Sequence, residues 1–318
     1  MLRELLLHLS QSPAARTLVT HAPFASTAAR RFVAGERVED GIRAARALNQ
    51  QGLAVSLDYL GESVRSREEA RAAADVVLRV LDRIDDEKLD ANVSIKLTQM
   101  GQDIDEEFLH ENVGRVLDRA AAAGIFVRFD MEGSDYTQRT LDFFRRLWDE
   151  GRRNIGVVIQ SYLYRSEADI RALDEIHARV RLCKGAYQEP PTVAFPEKHE
   201  VDENYVRLMR MLLTDGNYPG IATHDEAMIR ATRDFAAEKG IAPSAFEFQM
   251  LYGVRRDLQQ RLVKNGYRVR VYVPFGEAWY PYLMRRLAER PANVLFMANA
   301  VLRESPLGAL LGRRNGRR

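Results

Sequence analysis

The chain has 318 residues, of which 46% are hydrophobic and 29% charged, and its formal net charge is +2. This composition is typical of a soluble globular protein and excludes disordered and fibrous classes, while so small a net charge gives no argument for nucleic-acid binding. The single cysteine, Cys183, excludes an intramolecular disulfide and fits a reducing cytosol.

The N-terminal region is predicted to be helical over about Leu2–Leu18 and over Val38–Gln51. The first stretch, LRELLLHLS, has only a short apolar core interrupted by Glu4, which argues against a secretory signal and indicates an amphipathic helix. Docking on the fold is its favoured use, with a membrane surface as the alternative. No run of 18 or more apolar residues is present, so any membrane contact is expected to be peripheral.

Eight strand-like runs follow, each short, mostly β-branched or aromatic, and bounded by Gly, Asn, Pro or a charge. They are Leu53–Leu60, Ala91–Leu97, Ile125–Met131, Ile155–Gln160, Arg179–Cys183, Gly220–Thr223, Ala245–Leu251 and Arg268–Val273. The segments between them are long enough for helices, and Ser66 with Glu69 forms a capping-box pattern that Ser166 with Asp169 resembles. Five glycines are predicted to end helices in a left-handed conformation: Gly124, Gly151, Gly216, Gly240 and Gly266.

Strict alternation of strands and helices implies a parallel sheet, and eight units indicate a closed (β/α)8 TIM-type barrel in the α/β class. An open doubly wound sheet is the alternative, but its GxGxxG and GxxxxGK[ST] nucleotide signatures are both missing. We expect one domain, with N-terminal helices at 1–52, the barrel at 53–290 and a C-terminal extension at 291–318. The final helix, Trp279–Glu289, is expected to lie over the barrel mouth.

Polar residues recur where the predicted strands end, which is where such barrels place their chemistry. They are Asp58, Glu62, Lys96, Asp130, Glu132, Gln160, Arg181, Lys184, Thr223, His224, Asp225 and Gln249. Lys96 lies on an apolar strand, so it is a carboxylate anchor, a Schiff-base nucleophile, or a lysine that reaches the rim. Arg181 and Lys184, followed by Gly185 and Tyr187, suit an anionic planar cofactor, or form an ordinary strand exit.

Two further patterns leave alternatives open. His224 offers a metal ligand, but no HExxH motif or close histidine pair supports one, so no metal is expected and a hydrogen-bonding role is favoured. In the last helix, WYPYLMRRLAE, helical spacing puts Tyr282, Arg285, Arg286 and Glu289 on one flank. Paired guanidinium groups can fork onto a small carboxylate, although a solvated arginine face is the simpler interpretation.

Seven motifs occur in the order seen in proline dehydrogenases, and the chain resembles the monofunctional bacterial form and the matching domain of the bifunctional enzymes. They are SIKL at 94–97, FD at 129–130, IQSY at 159–162, RLCKGAY at 181–187, ATHD at 222–225, QMLYG at 249–253 and YLMRRLAERPAN at 282–293. The resemblance spans about Leu53 to Met297. It implies a (β/α)8 barrel that holds FAD and oxidises L-proline to Δ1-pyrroline-5-carboxylate, with electrons passing to a membrane quinone.

The resemblance also implies roles for individual residues. Lys96, Arg285 and Arg286 would bind the substrate carboxylate, Tyr282 would pack on the substrate ring, and Asp130 and Arg181 would be catalytic, with Arg181 near the flavin N5. Glu62 resembles a gate residue that pairs with Arg285. The positions that would hold FAD are Met131, Gln160, Arg181, Lys184, Gly185, Ala186, Tyr187, Thr223 and His224. Gln188 stands where the bifunctional enzymes have a tryptophan against the adenine.

Two other functions remain open on the residues alone. One is a Schiff-base aldolase or transaldolase of the same fold that uses Lys96 or Lys184. The other is a barrel-shaped binding protein in which Arg285 and Arg286 form an anion site without turnover. A cytoplasmic location is expected, with peripheral contact at the inner face of the cell membrane as a further option.

Overall fold

The structure is a computed structural model that describes residues 31–289. Within this range eight parallel strands close into a barrel in sequence order. The strands are β1 Ala54–Tyr59, β2 Ala91–Ile95, β3 Val127–Phe129, β4 Ile155–Gln160, β5 Arg179–Cys183, β6 Gly220–Ala222, β7 Glu247–Leu251 and β8 Val269–Phe275. Val55 of β1 lies opposite Ala91 of β2 and Val271 of β8, which closes the ring. The predicted barrel is confirmed, and the open sheet is wrong.

Ten α-helices accompany the strands in this part of the chain. They are α1 Val38–Asn49, α2 Arg67–Asp86, α3 Leu97–Met100, α4 Glu106–Ala122, α5 Ser134–Asp149, α6 Ser166–Glu175, α7 Lys198–Asp215, α8 Glu226–Glu238, α9 Arg256–Lys264 and α10 Trp279–Glu289. A 3-10 turn, Pro243–Ala245, precedes β7. The predicted helix at Leu2–Leu18 and the extension at 291–318 lie outside the described residues. No helix between residues 31 and 289 is long and apolar enough to cross a membrane.

The last helix lies on the mouth of the barrel and not in its outer ring. Tyr280, Leu283 and Leu287 are buried in a cluster with Leu60, which follows β1, and Val254, which follows β7. Those two loops leave the C-terminal ends of their strands, so α10 covers that end. This confirms the position expected for the final helix.

Side chains alternate in and out along each strand, as a pleated sheet requires. On β1, Val55 and Leu57 belong to the apolar layer beneath the outer helices. Ser56 and Asp58, which alternate with them, are completely buried and have polar partners: Ser56 Oγ lies 3.0 Å from Ser94 Oγ of β2. The interior of the barrel is therefore polar, and its groups must be paired to offset their desolvation.

Two predictions of helix ends are wrong. Ser66 Oγ accepts a hydrogen bond from Glu69 N at 3.2 Å and begins α2 as expected, but Ser166 lies inside α6, whose N-cap is Arg165. Ser166 Oγ instead donates to the carbonyl of Gln160 at 2.5 Å, because that strand-end carbonyl needs a donor. Gly216 has φ −79° and is not left-handed, whereas the other four glycines have positive φ.

Candidate active site

A cluster of charged side chains forms the floor of the barrel mouth. Lys96 Nζ lies 3.2 Å and 3.3 Å from the two carboxylate oxygens of Asp58 and 3.6 Å from Asp130 Oδ2. It also donates to the Tyr272 hydroxyl at 3.4 Å. Asp58, Lys96 and Asp130 are all buried. Three strands and the residues that follow them thus converge on one ammonium group.

Arg181 of β5 is the second cation of this floor, and it is held on three sides. Its Nη1 donates to Asp130 Oδ1 at 2.7 Å and its Nη2 to Ser94 Oγ at 3.2 Å, while Nε donates to the Gln249 side chain. The guanidinium also stacks 5.4 Å from the centre of the Tyr272 ring. Because Asp130 also accepts from the Tyr272 hydroxyl at 2.6 Å, it ties Arg181 and Tyr272 together.

The floor contains two carboxylates and two cations, and this balance decides the protonation of Lys96. Burial alone would lower the pKa of Lys96, but attraction to Asp58, Asp130 and Glu62 outweighs burial and raises it. For Asp58, burial outweighs the attraction of Lys96 and raises the pKa of the carboxyl. Lys96 is therefore a stable ammonium and a poor amine nucleophile.

A column of polar groups supports Arg181 from below, along the barrel axis. Gln249, which accepts from Arg181, donates its amide to Glu247 Oε1 at 2.6 Å. Glu247 in turn receives both Nε (2.7 Å) and Nη2 (3.1 Å) of Arg270, and Arg270 Nη1 donates to the Val55 carbonyl at 2.8 Å. Every member is buried. The position of Arg181 is thereby fixed from the bottom of the barrel.

Helix α10 supplies the upper rim of the site. Arg285 donates Nη1 to Glu62 Oε1 at 2.5 Å and Nη2 to Glu62 Oε2 at 3.1 Å, a bidentate pair. Its guanidinium also lies 5.8 Å from the centre of the Tyr187 ring. The guanidinium of Arg286 lies 5.2 Å from the ring centre of buried Tyr282. Helix α10 thus brings Arg285 to Glu62 and Tyr187, while Arg286 lies against Tyr282 of the same helix.

Several residues proposed for cofactor binding surround this floor. Met131 and Gln160 are buried at the ends of β3 and β4. Gln160 donates its amide to the carbonyl of Glu132 at 3.2 Å, but its Oε1 is buried without a hydrogen-bond partner among the described residues. Thr223, also buried, follows β6 and donates its backbone N–H to the Gln249 carbonyl at 3.1 Å.

Lys184 points away from the floor, unlike Arg181. Its ammonium donates to Asp202 Oδ1 of α7 at 2.5 Å and to Asp225 Oδ2, at the start of α8, at 2.9 Å. His224 Nε2 accepts the backbone N–H of Leu251 at 2.8 Å, so this nitrogen is not available to a metal. Among residues 31–289 no group of three or more His, Cys, Asp or Glu side chains is arranged to hold a metal ion.

The loop after β5 contains Gly185, Ala186 and Tyr187. Gly185 has φ +113°, and a Cβ there would lie 2.4 Å from the ring of Tyr162. The glycine is therefore required by packing of the loop against Tyr162. Glu189 anchors the same loop, because its Oε1 accepts from Ser134 N at 2.8 Å and from the Tyr162 hydroxyl at 3.2 Å.

Sequence reasoning missed the role of Tyr272 and left Asp58 and Gln249 without one. The alternation in RVRVYV could have identified Tyr272, since it shares the inward phase of Arg270.

Glu132 is a further buried group at the mouth. Burial raises the pKa of its carboxyl to about 7, although Thr98 donates to Glu132 Oε1 at 2.8 Å.

A paired polar cluster at the C-terminal face of a closed (β/α)8 barrel places this chain among the barrel enzymes. The family model for proline dehydrogenase matches residues 41–299. The chain is 46% identical over 269 residues to "Proline dehydrogenase 2" of Bacillus subtilis (strain 168), which covers 85% of this chain and 88% of that protein. With "Proline dehydrogenase" of Deinococcus radiodurans it shares 45% over 279 residues, 86% of this chain and 90% of that protein. The chain belongs to the proline dehydrogenase family and is an enzyme of that family.

The bifunctional relatives are more distant. The chain is 27% identical over 324 residues to "Bifunctional protein PutA" of Escherichia coli (strain K12), covering 88% of this chain and 24% of that protein. Proline utilization A from Bdellovibrio bacteriovorus, solved after inactivation by N-propargylglycine, superposes with a TM-score of 0.79 at 26% identity. That match covers 90% of this chain and 35% of the other, so this chain spans about a third of the solved protein's length.

Proposed function

We propose that this protein oxidises L-proline to Δ1-pyrroline-5-carboxylate with FAD at the barrel mouth, and passes the electrons to a quinone. The observation that supports this best is the pair of Arg285 and Glu62 at the mouth, next to a buried floor of Lys96, Asp130 and Arg181, with Arg286 beside Arg285 on α10. Cations above and below a small mouth suit a small carboxylate substrate. The family membership narrows that substrate to proline.

Lys96, Arg285 and Arg286 are the carboxylate-binding groups in this proposal, and Tyr282 packs against the substrate ring. Lys96 is suited to the role because its pKa is raised, so it offers a permanent positive charge. Arg285 is already bound by Glu62 through both of its terminal nitrogens. Glu62 therefore acts as a gate, which closes with Arg285 over the mouth and excludes water.

The residues proposed to hold FAD fit such a group. Gln160 presents a buried carbonyl oxygen without a partner among residues 31–289, which an imide N–H of a flavin ring would satisfy. Within the described part of the chain Lys184 makes two donor contacts, to Asp202 and Asp225, which leaves one of its three hydrogens for a phosphate oxygen. The remaining positions are Met131, Arg181, Gly185, Ala186, Tyr187, Thr223 and His224. When bound, FAD supplies the acceptor for the hydride from the proline ring.

The chain's own residues orient the reacting groups and stabilise the charge that develops between them. Arg181 supplies a fixed positive charge at the floor, and its three hydrogen-bond partners keep it from turning away. Asp130 holds both Arg181 and the Tyr272 hydroxyl, so it aligns the two groups that line the reacting space. These are the catalytic roles that we assign to Asp130 and Arg181.

The aldolase alternative has less support. A Schiff-base lysine must lose its proton to attack a carbonyl, but the carboxylates around Lys96 hold it as an ammonium. Lys184 is engaged by two carboxylates, Asp202 and Asp225.

Three further parts of the proposal are a quinone acceptor, which the family suggests, a cytoplasmic location and peripheral contact with the membrane.

The test is anaerobic reduction of the purified protein. We expect a flavin absorbance band that bleaches on addition of L-proline and returns on addition of a soluble quinone, with pyrroline-5-carboxylate identified by mass spectrometry. Arg286→Met should weaken the response to L-proline, whereas the exposed control Arg230→Met should not. A purified protein without flavin, or a flavin that L-proline does not bleach, refutes the proposal.

A further inference from the structure

Asp58 is a buried ionisable group at the centre of the site to which no role has been assigned. It is the last inward-facing residue of β1, one position before the strand ends at Tyr59, and it has no exposed surface. Both of its oxygens face the ammonium of Lys96, at 3.2 Å and 3.3 Å. A completely buried carboxylate is costly to retain, so its presence beside Lys96 calls for a reason.

Two of the other acidic groups that face Lys96 are shared with arginines, and the third, Glu132, is held by Thr98 and has no contact with Lys96 within 4.0 Å. Asp130 lies 3.6 Å from Lys96 but 2.7 Å from Arg181. Glu62, in the loop after β1, attracts Lys96 but is bound bidentately by Arg285. The phenols of Tyr272 on β8 and Tyr187 after β5 also face it. Among the described residues, Asp58 is the only carboxylate within 4.0 Å of the Lys96 ammonium that has no arginine partner.

The proposed reaction sets two opposite demands on pH. The substrate nitrogen must be unprotonated to release hydride, and the secondary ammonium of an imino acid loses its proton only in the alkaline range. A lysine that binds the substrate carboxylate must keep its proton over that same range. An ordinary lysine in an apolar site fails the second demand, because burial lowers its pKa.

We propose that Asp58 is a positioning residue that keeps Lys96 protonated and directed at the mouth, so that carboxylate binding persists at the alkaline pH that favours substrate oxidation. The inference rests on the proposed function, in which Lys96 binds the carboxylate. Asp58 itself does not touch the substrate. It acts through the 3.2 Å contact with Lys96.

The primary test is an isosteric substitution, Asp58→Asn, in the flavin-loaded protein. The ligand is cyclopentanecarboxylate, a ring carboxylate without a nitrogen, so its own charge is constant above neutral pH. Calorimetric titration of the wild type should give an affinity that varies less than about threefold between pH 7 and pH 10. In Asp58→Asn the affinity should fall by at least about tenfold over that range, because the remaining carboxylates are shared with arginines or lie more than 4.0 Å from Lys96, which then deprotonates.

Three further variants separate this role from a merely structural one. Asp58→Asn combined with Lys96→Arg should regain a flat pH profile, because arginine stays charged at every pH tested. Lys96→Met should bind weakly and equally at all pH values. The control Asp75→Asn, which removes a carboxylate from an exposed ion pair between α2 and α4, should keep the wild-type profile. A flat profile in Asp58→Asn overturns the proposal.

The wild-type protein alone also provides a decisive measurement if Asp58→Asn does not fold. Affinity for cyclopentanecarboxylate that falls tenfold or more between pH 8 and pH 10 in the wild type would show that Lys96 titrates there, which contradicts the inference. Failure of the proposed function gives a different result. In that case the wild type binds the carboxylate with a flat profile but L-proline does not bleach its flavin.

Discussion

The bidentate pair of Glu62 and Arg285 supports the sharpest quantitative prediction. An exposed ion pair contributes about 0–1 kcal/mol, which is the ordinary expectation for a pair of long charged side chains in a loop and on a helix. The structure revises the expectation, because only 23% of the Glu62 side chain and 12% of the Arg285 side chain are exposed. Removing one partner of a fully buried pair costs about 3–5 kcal/mol. For this intermediate case we expect each of Glu62→Ala and Arg285→Met to lower the free energy of unfolding by about 1–3 kcal/mol.

A double-mutant cycle in urea isolates the interaction between the two side chains. The coupling energy should be about 1–2 kcal/mol at pH 7, since the two losses arise largely from one contact. Burial alone would raise the pKa of Glu62, but attraction to Arg285 and Lys96 outweighs burial and lowers it. The stabilisation is therefore present above the ordinary carboxyl pKa and is lost as the pH falls through the lowered folded-state pKa.

The matched control is the exposed pair of Asp75 and Arg115, which has a similar contact, 2.7 Å, but side chains that are 51% and 42% exposed. Its cycle, with Asp75→Ala and Arg115→Met, should give a coupling energy below about 0.5 kcal/mol. Additive losses at Glu62 and Arg285 would refute the argument from burial. The wild type, Glu62→Ala, Arg285→Met and the double variant, assayed with L-proline, test the gate: additive losses in kcat/KM would mean that the contact between the two side chains has no part in turnover.

Four further substitutions are expected to have distinct effects. Arg286→Met should lower kcat/KM for L-proline about 10- to 200-fold, mostly through KM, since it removes a charge-assisted hydrogen bond; steady-state kinetics with an unchanged KM would contradict the carboxylate role. Arg181→Met should retain part of its flavin but slow flavin reduction at saturating proline, and a wild-type rate in stopped flow would contradict the electrostatic role. Gln249→Met should cost about 1–3 kcal/mol in urea unfolding, because it leaves buried partners unpaired, and should slow reduction as well; an unchanged midpoint would mean that the column does not support Arg181. Glu132→Gln should stabilise the protein by about 1–3 kcal/mol at pH 8 and little near pH 4.5. Burial raises the pKa of Glu132 to about 7, so the wild type loses stability as the pH rises from 4.5 to 8. Equal effects of the substitution at both pH values in urea unfolding would exclude this cause.

The order and type of the barrel elements were predictable because their signals are local. Ile155–Gln160 and Arg179–Cys183 were predicted to the residue, since a charged or polar residue lies at each end. Val127–Phe129 was overestimated as Ile125–Met131. Apolar character continues beyond the ladder there, because Ile125 and Met131 are buried in the connections before and after the strand and not in its hydrogen bonds.

The residues of the site were predictable only in part, and the reason is the same for each one that was missed. Asp58, Gln249 and Tyr272 act through partners on other strands, and a single sequence does not show which strands face each other across the barrel. Asp130 illustrates the limit. Its place at a strand end was visible in the sequence, but its simultaneous contacts with Arg181 and Tyr272 depend on closure of β8 onto β1.

The position of α10 links the barrel's architecture to its chemistry. In a regular (β/α)8 barrel the eighth helix lies in the outer ring, where a pair of arginines would face solvent. Here α10 lies over the mouth, and α1 packs on β1 and β8 at the outer surface instead. The fit is close, since a Cβ on Gly41 of α1 would lie 3.0 Å from the Phe275 ring of β8 and 3.3 Å from Leu57 of β1. Because α1 covers the apolar outer face of those two strands, α10 is not needed there and can place Arg285 at the mouth, with Arg286 next to it. Helix α1 contributes no group to the chemistry, but its packing on β1 and β8 allows α10 to lie over the mouth.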